Sequence, residues 1–583
     1  MRGILAVKIS SGNFLNKTIL YIKRRICECE IWVFYIMITS EKTINNYHQR
    51  FKLRTDISIN KRTGEKNKMS KKQVFNPYLP SYEYIPDGEP RVFGDRIYLY
   101  GSHDRFGSAG FCLNDYVCYS ADVNDLTDWK YEGVIYPKTA DPRNQNIPED
   151  APEQTLLFGI KPEKEEDLNP RGIHAQWAPD VVQGPDGRYY LYYCLDFLPE
   201  VGVAVCDTPA GKYEYLGLVK HADSTPLGKK EGDLLQFDPG VYVEGNEIYL
   251  YSGNAPMDPK YENGTQGSQV MKLMSDMVTL KEESRKLLPS IMESEGTGYE
   301  GHEFFEASSI RKINGLYYLV YSSVRSSELC YAVSEKPDEG YCYGGTLVDI
   351  GDLVLWGKTE GEAINPLGNT HGGMACMNGQ WYIFYHRQTN RTNFSRQGCA
   401  EKIFIKEDGS IDQAEVTSCG LNDGPLKAEG TYPARICCHL TGKAPMRMSH
   451  PLAMKMDYPF LTQDCYDIEP ESEEAKQEEK FPVQYIANIQ DANIVGYKYF
   501  DFRNVKKLTF VVRKRSEAVE GKILIGQGLN DFSCGSIPVQ IHADEEKQWI
   551  EITDEMQLKD GTYPLYLKFE GEGSLDLAQF KFA

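Results

Sequence analysis

The sequence has no spaced cysteine pairs of the kind that hold zinc, although 15 cysteines are spread over its 583 residues. Neither Cys27 with Cys29 nor the adjacent Cys437 and Cys438 makes a metal framework. The scattered thiols read as buried free cysteines of a reducing, cytoplasmic compartment. Positive charge is also short. The net charge is −20, which leaves no basic face for nucleic acid. Residues 1–69 carry +9 and the remainder −29, a balance that suits a neutral solute better than an anionic one. Long hydrophobic runs are missing as well. Residues 31–38 are apolar but too few to span a bilayer, and no small-residue cleavage site follows them. From Asn76 to about residue 420 helical periodicity is nearly absent, and strands alternate with Gly, Asn, Asp and Pro turns.

What is present is repetition. An aromatic strand following a turn recurs at Ile97–Tyr100, Tyr189–Tyr193, Ile248–Tyr251, Leu316–Tyr321 and Gln380–Tyr385. The repeat centres are separated by 92, 59, 69 and 64 residues. Each interval holds about four strands, which is a propeller blade rather than a solenoid rung. The long first interval predicts an insertion over 138–172 that walls a pocket. About twelve residues before each centre stands a polar residue: Asp87, Asp180, Asp238, Glu306 and His371. A near-constant offset aims these side chains at one axis, which is costly in a core and useful in a site.

Each slot also has a plainer reading. Asp87 lies in Pro86-Asp87-Gly88, a common turn, with Glu83 and Glu89 nearby as competitors. Asp238 fits an Asx turn before its strand. Glu306 lies among aromatic and small residues, where desolvation would raise its pKa and suit it to donate a proton. Glu303 would face the other side of an extended strand. A lone His such as His371 is often a hydrogen-bonded core residue. Three converging carboxyls fit glycosidic hydrolysis, with an acid for the leaving oxygen, a base for water and a third group tuning the acid. Trp177, Phe237 and the abundant Tyr residues offer faces for sugar rings. Asp180, Arg387 and Arg325 are further candidate contacts to substrate.

At these residues the chain resembles glycoside hydrolase family 43, the β-xylosidase and α-L-arabinofuranosidase group. The resemblance runs from residue 76 to about 420, through Pro86-Asp87, Trp177-Ala178-Pro179, Phe237-Asp238-Pro239, Glu306-Ala307-Ser308 and His371-Gly372. It implies a five-bladed β-propeller and an inverting mechanism, with Asp87 as general base, Glu306 as general acid and Asp238 as pKa modulator. It also implies a central metal (often calcium) or a water site at His371, and no required cofactor. Gly88 after the base and Ala307-Ser308 after the acid depart from the family pattern, which leaves subsite geometry and substrate open.

The expected architecture is all-β. An N-terminal extension (1–75), disordered or from a non-native start, precedes the propeller at 76–430; a linker at 431–445 leads to a jelly-roll sandwich at 446–583. A membrane-surface arm is the competing reading for residues 1–68. The sandwich is similar to family 6-like carbohydrate-binding modules, through Gln484–Ile489, Gly496–Phe500 and Gly573–Leu577. Whether it binds glycan or packs on the propeller stays open. The expected activity is release of terminal β-D-xylosyl or α-L-arabinofuranosyl residues from oligosaccharides, with no nucleic-acid or membrane partner and no oligomeric state assigned. The rivals are another glycoside, such as galactan or fructan, and a non-catalytic sugar-binding propeller.

Overall fold

The computed structural model describes residues 73–151, 168–256, 267–443 apart from 354 and 356, and 458–583 apart from several positions between 465 and 483. It also describes three N-terminal strands, Ile4–Val7, Ile19–Ile26 and Cys29–Ile36, which pair as an antiparallel sheet. Residues 1–72 and 73–583 are separate units. The N-terminal segment, expected as disordered or from a non-native start, contains these strands; the rest of it up to residue 72 lies outside the described residues, as does 152–167 of the expected insertion.

Five antiparallel sheets follow one another along residues 89–403, four of four strands and a last one of three. Their first strands are Glu89–Phe93, Gln176–Gln183, Gly240–Glu244, Phe304–Ile313 and Met374–Met377. Each leads through a tight turn into the aromatic strand of the sequence repeat. The turn glycines Gly94, Gly187, Gly245, Gly315 and Gly379 all have positive φ, between 62° and 89°, a conformation that costs a side-chain-bearing residue energy. Glycine thus sets the start of each repeat, and the alternating aromatic strand behind it is almost wholly buried.

The first strands pack side by side around a central axis. One network of ions and backbone groups stitches them together. Arg91 of the first blade donates to Asp180 of the second and to the Val241 carbonyl of the third, at 2.9 and 3.1 Å. Arg311 of the fourth blade donates to Glu89 (2.6 Å) and to the Met374 carbonyl of the fifth (2.7 Å). Gly373 is where this network needs space: a Cβ there would lie 2.4 Å from Glu89 Oε2. The ring closes where the start of the propeller chain runs along the last strand of the fifth blade. Tyr78 N–H donates to the Gly398 carbonyl, and Asn76 exchanges two hydrogen bonds with Ala400.

The second module is a sandwich of two six-stranded sheets over a continuous aromatic and aliphatic core. Most of the stretch 431–445, expected as a linker, is instead built into it over residues 431–441; 444 and 445 lie outside the described residues. Gly430–Pro433 pairs with Leu575–Phe582, and His439–Thr441 pairs with Ile494–Phe502. The reason is burial: Ala434, Arg435, Ile436, Cys437 and Cys438 between them are all buried. Arg435 faces the inside, its guanidinium donating to the Pro77 and Leu79 carbonyls.

Candidate active site

At one end of the propeller axis lies a cavity of about 190 Å³ lined by Asp87, Asp238, Glu306 and His371, with Trp177, Phe237 and Arg396 among its walls. Four of the five repeat slots therefore meet as expected. The backbone aims them. Asp87 and Asp238 have φ of 56° and 46°, and Ala178 and Ala307, beside Trp177 and Glu306, have φ of 36° and 72°. Left-handed residues at these positions break the ladder, and register shifts fall on both sides of Glu306 and between Trp177 and Asp180. Such bulges turn side chains out of the sheet plane toward the axis, at a cost of about 1–2 kcal/mol for each residue with a Cβ.

Asp180 does not reach the cavity. It lies beyond its bulge, in ladder with Tyr192, and is consumed by Arg91 and the Val241 N–H in the axial network. Nor do two of the expected arginines line the cavity. Arg387 is buried and donates to Asn365 Oδ1 and the Cys437 carbonyl. Arg325 donates to the Gly301 carbonyl and is partly exposed. The competing carboxylates are also committed elsewhere: Glu89 to Arg311, Glu83 near His103 at 3.5 Å, and Glu303 to Ser294.

The residues that sequence reasoning missed surround Asp87. Arg396 donates from Nη1 to Asp87 Oδ1 at 3.2 Å, while its Nε and Nη2 grip both oxygens of Asp104 at 2.8 and 2.9 Å. The backbone N–H of Asp87 donates to His386 Nδ1 at 3.1 Å. His386 and Arg387 are neighbours on one strand and so point to opposite faces. Naming Arg387 instead of His386 is a slip of one residue in register. Arg396 had a faint signal. It opens the strand Arg396–Ile403, whose other residues are mostly small or apolar, and a cation buried there needs a carboxylate partner.

The electrostatics separate the three carboxyls. Burial pushes Asp87 up, but the Arg396 guanidinium outweighs it and holds Asp87 below the ordinary Asp range. Burial, then the Asp87 charge, pushes Glu306 up to about 8. Asp238 is driven well above its usual range by burial and then by Glu306 and Asp87. Glu306 and Asp238 therefore titrate as a pair that retains a proton at neutral pH. Glu306 is the more open of the two, whereas Asp238 is buried, 3.5 Å from His371 Nδ1. Burial lowers both histidines, His386 to about 3, so both rings are neutral.

The walls are aromatic. Trp177 packs edge-on against Phe237 at 5.5 Å, and Phe111 packs against Phe394 at 4.7 Å. The Arg396 guanidinium stacks 4.7 Å over the Phe111 ring. The protein's own donors around His371 fall short of a full calcium cage. Calcium takes about six to eight oxygen ligands, His371 offers one ring nitrogen, and neighbouring Glu89 is committed to Arg311. Among the described residues, the group of three His, Cys or acidic ligand atoms within mutual reach lies elsewhere, at His302, Glu328 and Cys330.

An ionised carboxylate held by a cation, a protonated carboxyl on the same cavity and aromatic walls define an acid–base glycosidase. The comparisons agree. The model of glycosyl hydrolases family 43 matches residues 158–411. A xylosidase/arabinosidase of Thermoclostridium stercorarium is 47% identical over 515 residues, spanning 88% of this chain and 99% of that protein. A xylosidase/arabinosidase of Bacteroides ovatus is 27% identical over 340 residues, 53% of this chain and 87% of that one. Among solved structures, a family 43 arabinoxylan arabinofuranohydrolase from Bacillus subtilis, in complex with cellotetraose, aligns with 87% of this chain and 97% of its own at 19% identity and a TM-score of 0.43. The chain belongs to glycoside hydrolase family 43.

The charge pattern sets a pH profile. If Asp87 is the base and Glu306 the acid, as the resemblance implies, kcat/KM should fall above about pH 8 as Glu306 loses its proton. On the acid side it should fall only below the ordinary carboxylate range, as Asp87 gains one. Rates on an aryl glycoside across pH check this. A flat alkaline limb would remove Glu306 from the acid role.

Proposed function

We propose that this enzyme releases terminal β-D-xylosyl or α-L-arabinofuranosyl residues from oligosaccharides, with inversion. The observation that carries the reading is the cavity, whose three carboxyls are divided into one held ionised and a pair that keeps its proton. Asp87 takes the proton of the attacking water as that water adds to the anomeric carbon. Glu306 delivers its proton to the departing oxygen. Asp238, on the same cavity, shares a proton with Glu306 and so tunes when that proton leaves, and Arg396 keeps Asp87 ionised until water is bound. A pocket of about 190 Å³ suits one sugar ring better than an internal stretch of chain, which supports action on chain ends.

The names of the relatives support pentosides as the sugar class, since those from Thermoclostridium stercorarium and Bacteroides ovatus are both called xylosidase/arabinosidase. No step passes through a metal, and we take His371 to hold a water or Asp238 in place instead of calcium. Twelve free cysteines among the described residues support a cytoplasmic location. A neutral oligosaccharide is the partner that the negative chain favours.

A panel of aryl β-xyloside, α-arabinofuranoside and galactosides tests the specificity. Turnover of the two pentosides and loss on both in Asp87→Asn, by about 10²–10⁴-fold, is expected. Preference for the galactosides would overturn the sugar assignment. Proton NMR of the first-formed anomer tests the stereochemistry, and a retained configuration would sink the inverting scheme.

A further inference from the structure

Tyr84 stands three residues before Asp87, in a segment that the C-terminal sandwich touches directly. Its buried phenol donates to Gln463 Oε1 at 2.7 Å and accepts from Gln484 Nε2 at 2.7 Å. These two glutamines face each other across paired strands of the sandwich, Phe460–Gln463 and Gln484–Ile489. One phenol oxygen is therefore gripped from both sides by the second module. The other end of the residue reaches the catalytic centre. The Tyr84 carbonyl accepts the Asp104 N–H at 2.9 Å, and Asp104 holds the arginine that pairs with Asp87.

A second contact braces the opposite wall. The Arg391 guanidinium lies 4.7 Å over the Phe460 ring, in the 389–395 loop that brings Asn393 to the cavity. The sandwich's own aromatic pair is already filled. Arg513 sits 4.5 and 4.4 Å from the Tyr485 and Trp549 rings and pairs with Asp464 and Asp576, so those faces are taken by a guanidinium. Gln463 and Gln484, by contrast, point at the propeller.

We propose that Gln463 and Gln484 of the sandwich position the general base through Tyr84, making the sandwich part of the catalytic frame. This rests on the reading of Asp87 as base. The groups facing Asp87 are Arg396, His386 and His371 of the fifth blade, Asp238 and Glu306 of the third and fourth, Ser102 and Cys112. Of these, Asp104, and hence Tyr84, fixes two: Arg396, and Cys112 through its N–H to Asp104 Oδ1 at 3.0 Å; Arg396 is the one that carries a charge.

The test is Tyr84→Phe in the full chain, with the double variant Gln463→Leu/Gln484→Leu and the triple combination. Tyr84→Phe keeps the ring, so its melting temperature reports whether the fold survives. The expected result is a fall in kcat of about tenfold with KM little changed; a misplacement of about 1 Å can cost about a hundredfold. The acid limb of the pH profile should move to higher pH as the hold of Arg396 on Asp87 loosens. The triple variant should be no worse than the double, because all three changes break one connection. A lowered melting temperature with kcat and acid limb unchanged would mean simple structural packing and overturn the proposal. Asp87→Asn is measured in parallel. If it keeps its activity, the base assignment fails; if it is inactive while Tyr84→Phe behaves like the parent, only the positioning role fails.

Discussion

Glu306→Gln is expected to lower kcat by about 10²–10⁴-fold on oligosaccharides, whose alkoxide leaving groups need a proton. On an aryl glycoside with a stable phenolate the loss should be much smaller. The amide keeps the size of the side chain and its contact with Asn254, 3.4 Å away, so the change isolates the proton. Binding should persist, because the aromatic walls and Arg396 are untouched. The alkaline limb near pH 8 should vanish in the variant, since the group that causes it is gone. Steady-state kinetics on paired substrates of good and poor leaving groups decide the matter. Equal loss on both would assign the proton to another residue, with Asp238 the first to try.

The second large effect is on stability as well as rate. Arg396→Met should destabilise the propeller by about 3–5 kcal/mol, the typical cost of leaving buried charges unpaired. Two carboxylates, Asp87 and Asp104, depend on this one guanidinium, and all three side chains are buried. For a unit of this size the melting temperature should drop by roughly 5 °C. Activity should fall further than folding accounts for. Without the cation, burial wins at Asp87, its pKa rises and the base is protonated where it now works. Arg396→Lys restores charge but not the two-pronged grip on Asp104, so it should recover only part of either loss. Calorimetry beside kcat/KM against pH separates the effects. A variant with normal stability would show that the Asp104 pair is dispensable.

The sequence was informative where a feature repeats. The turn glycines and aromatic strands predicted the blades, and a fixed offset from them led to Asp87, Asp238, Glu306 and His371. It was silent where partners are remote. Asp87 and Arg396 are 309 residues apart, and no local pattern links them. Arg387 is the conspicuous cation of its strand, but period two gives two faces, and its neighbour His386 holds the one toward Asp87. Asp180 obeys the same offset as the others, yet its bulge comes before it instead of at it, which leaves it in the ladder and on Arg91. Arg435 within 431–445 has the look of a linker residue because its partners, the Pro77 and Leu79 carbonyls, are ones that only the folded chain supplies.

Closure of the ring by its own beginning, with Asn76 and Tyr78 laid along the strand Arg396–Ile403, has a consequence for biosynthesis. A growing chain that has emerged only as far as the fourth blade already carries all three catalytic carboxyls, but neither His386 nor Arg396. It also has an open seam on both flanks, where unpaired backbone is prone to wrong partners. The hydrolytic centre is thus completed late in translation. Its fate while incomplete is a matter for the ribosome and chaperones as much as for the sequence of the pocket.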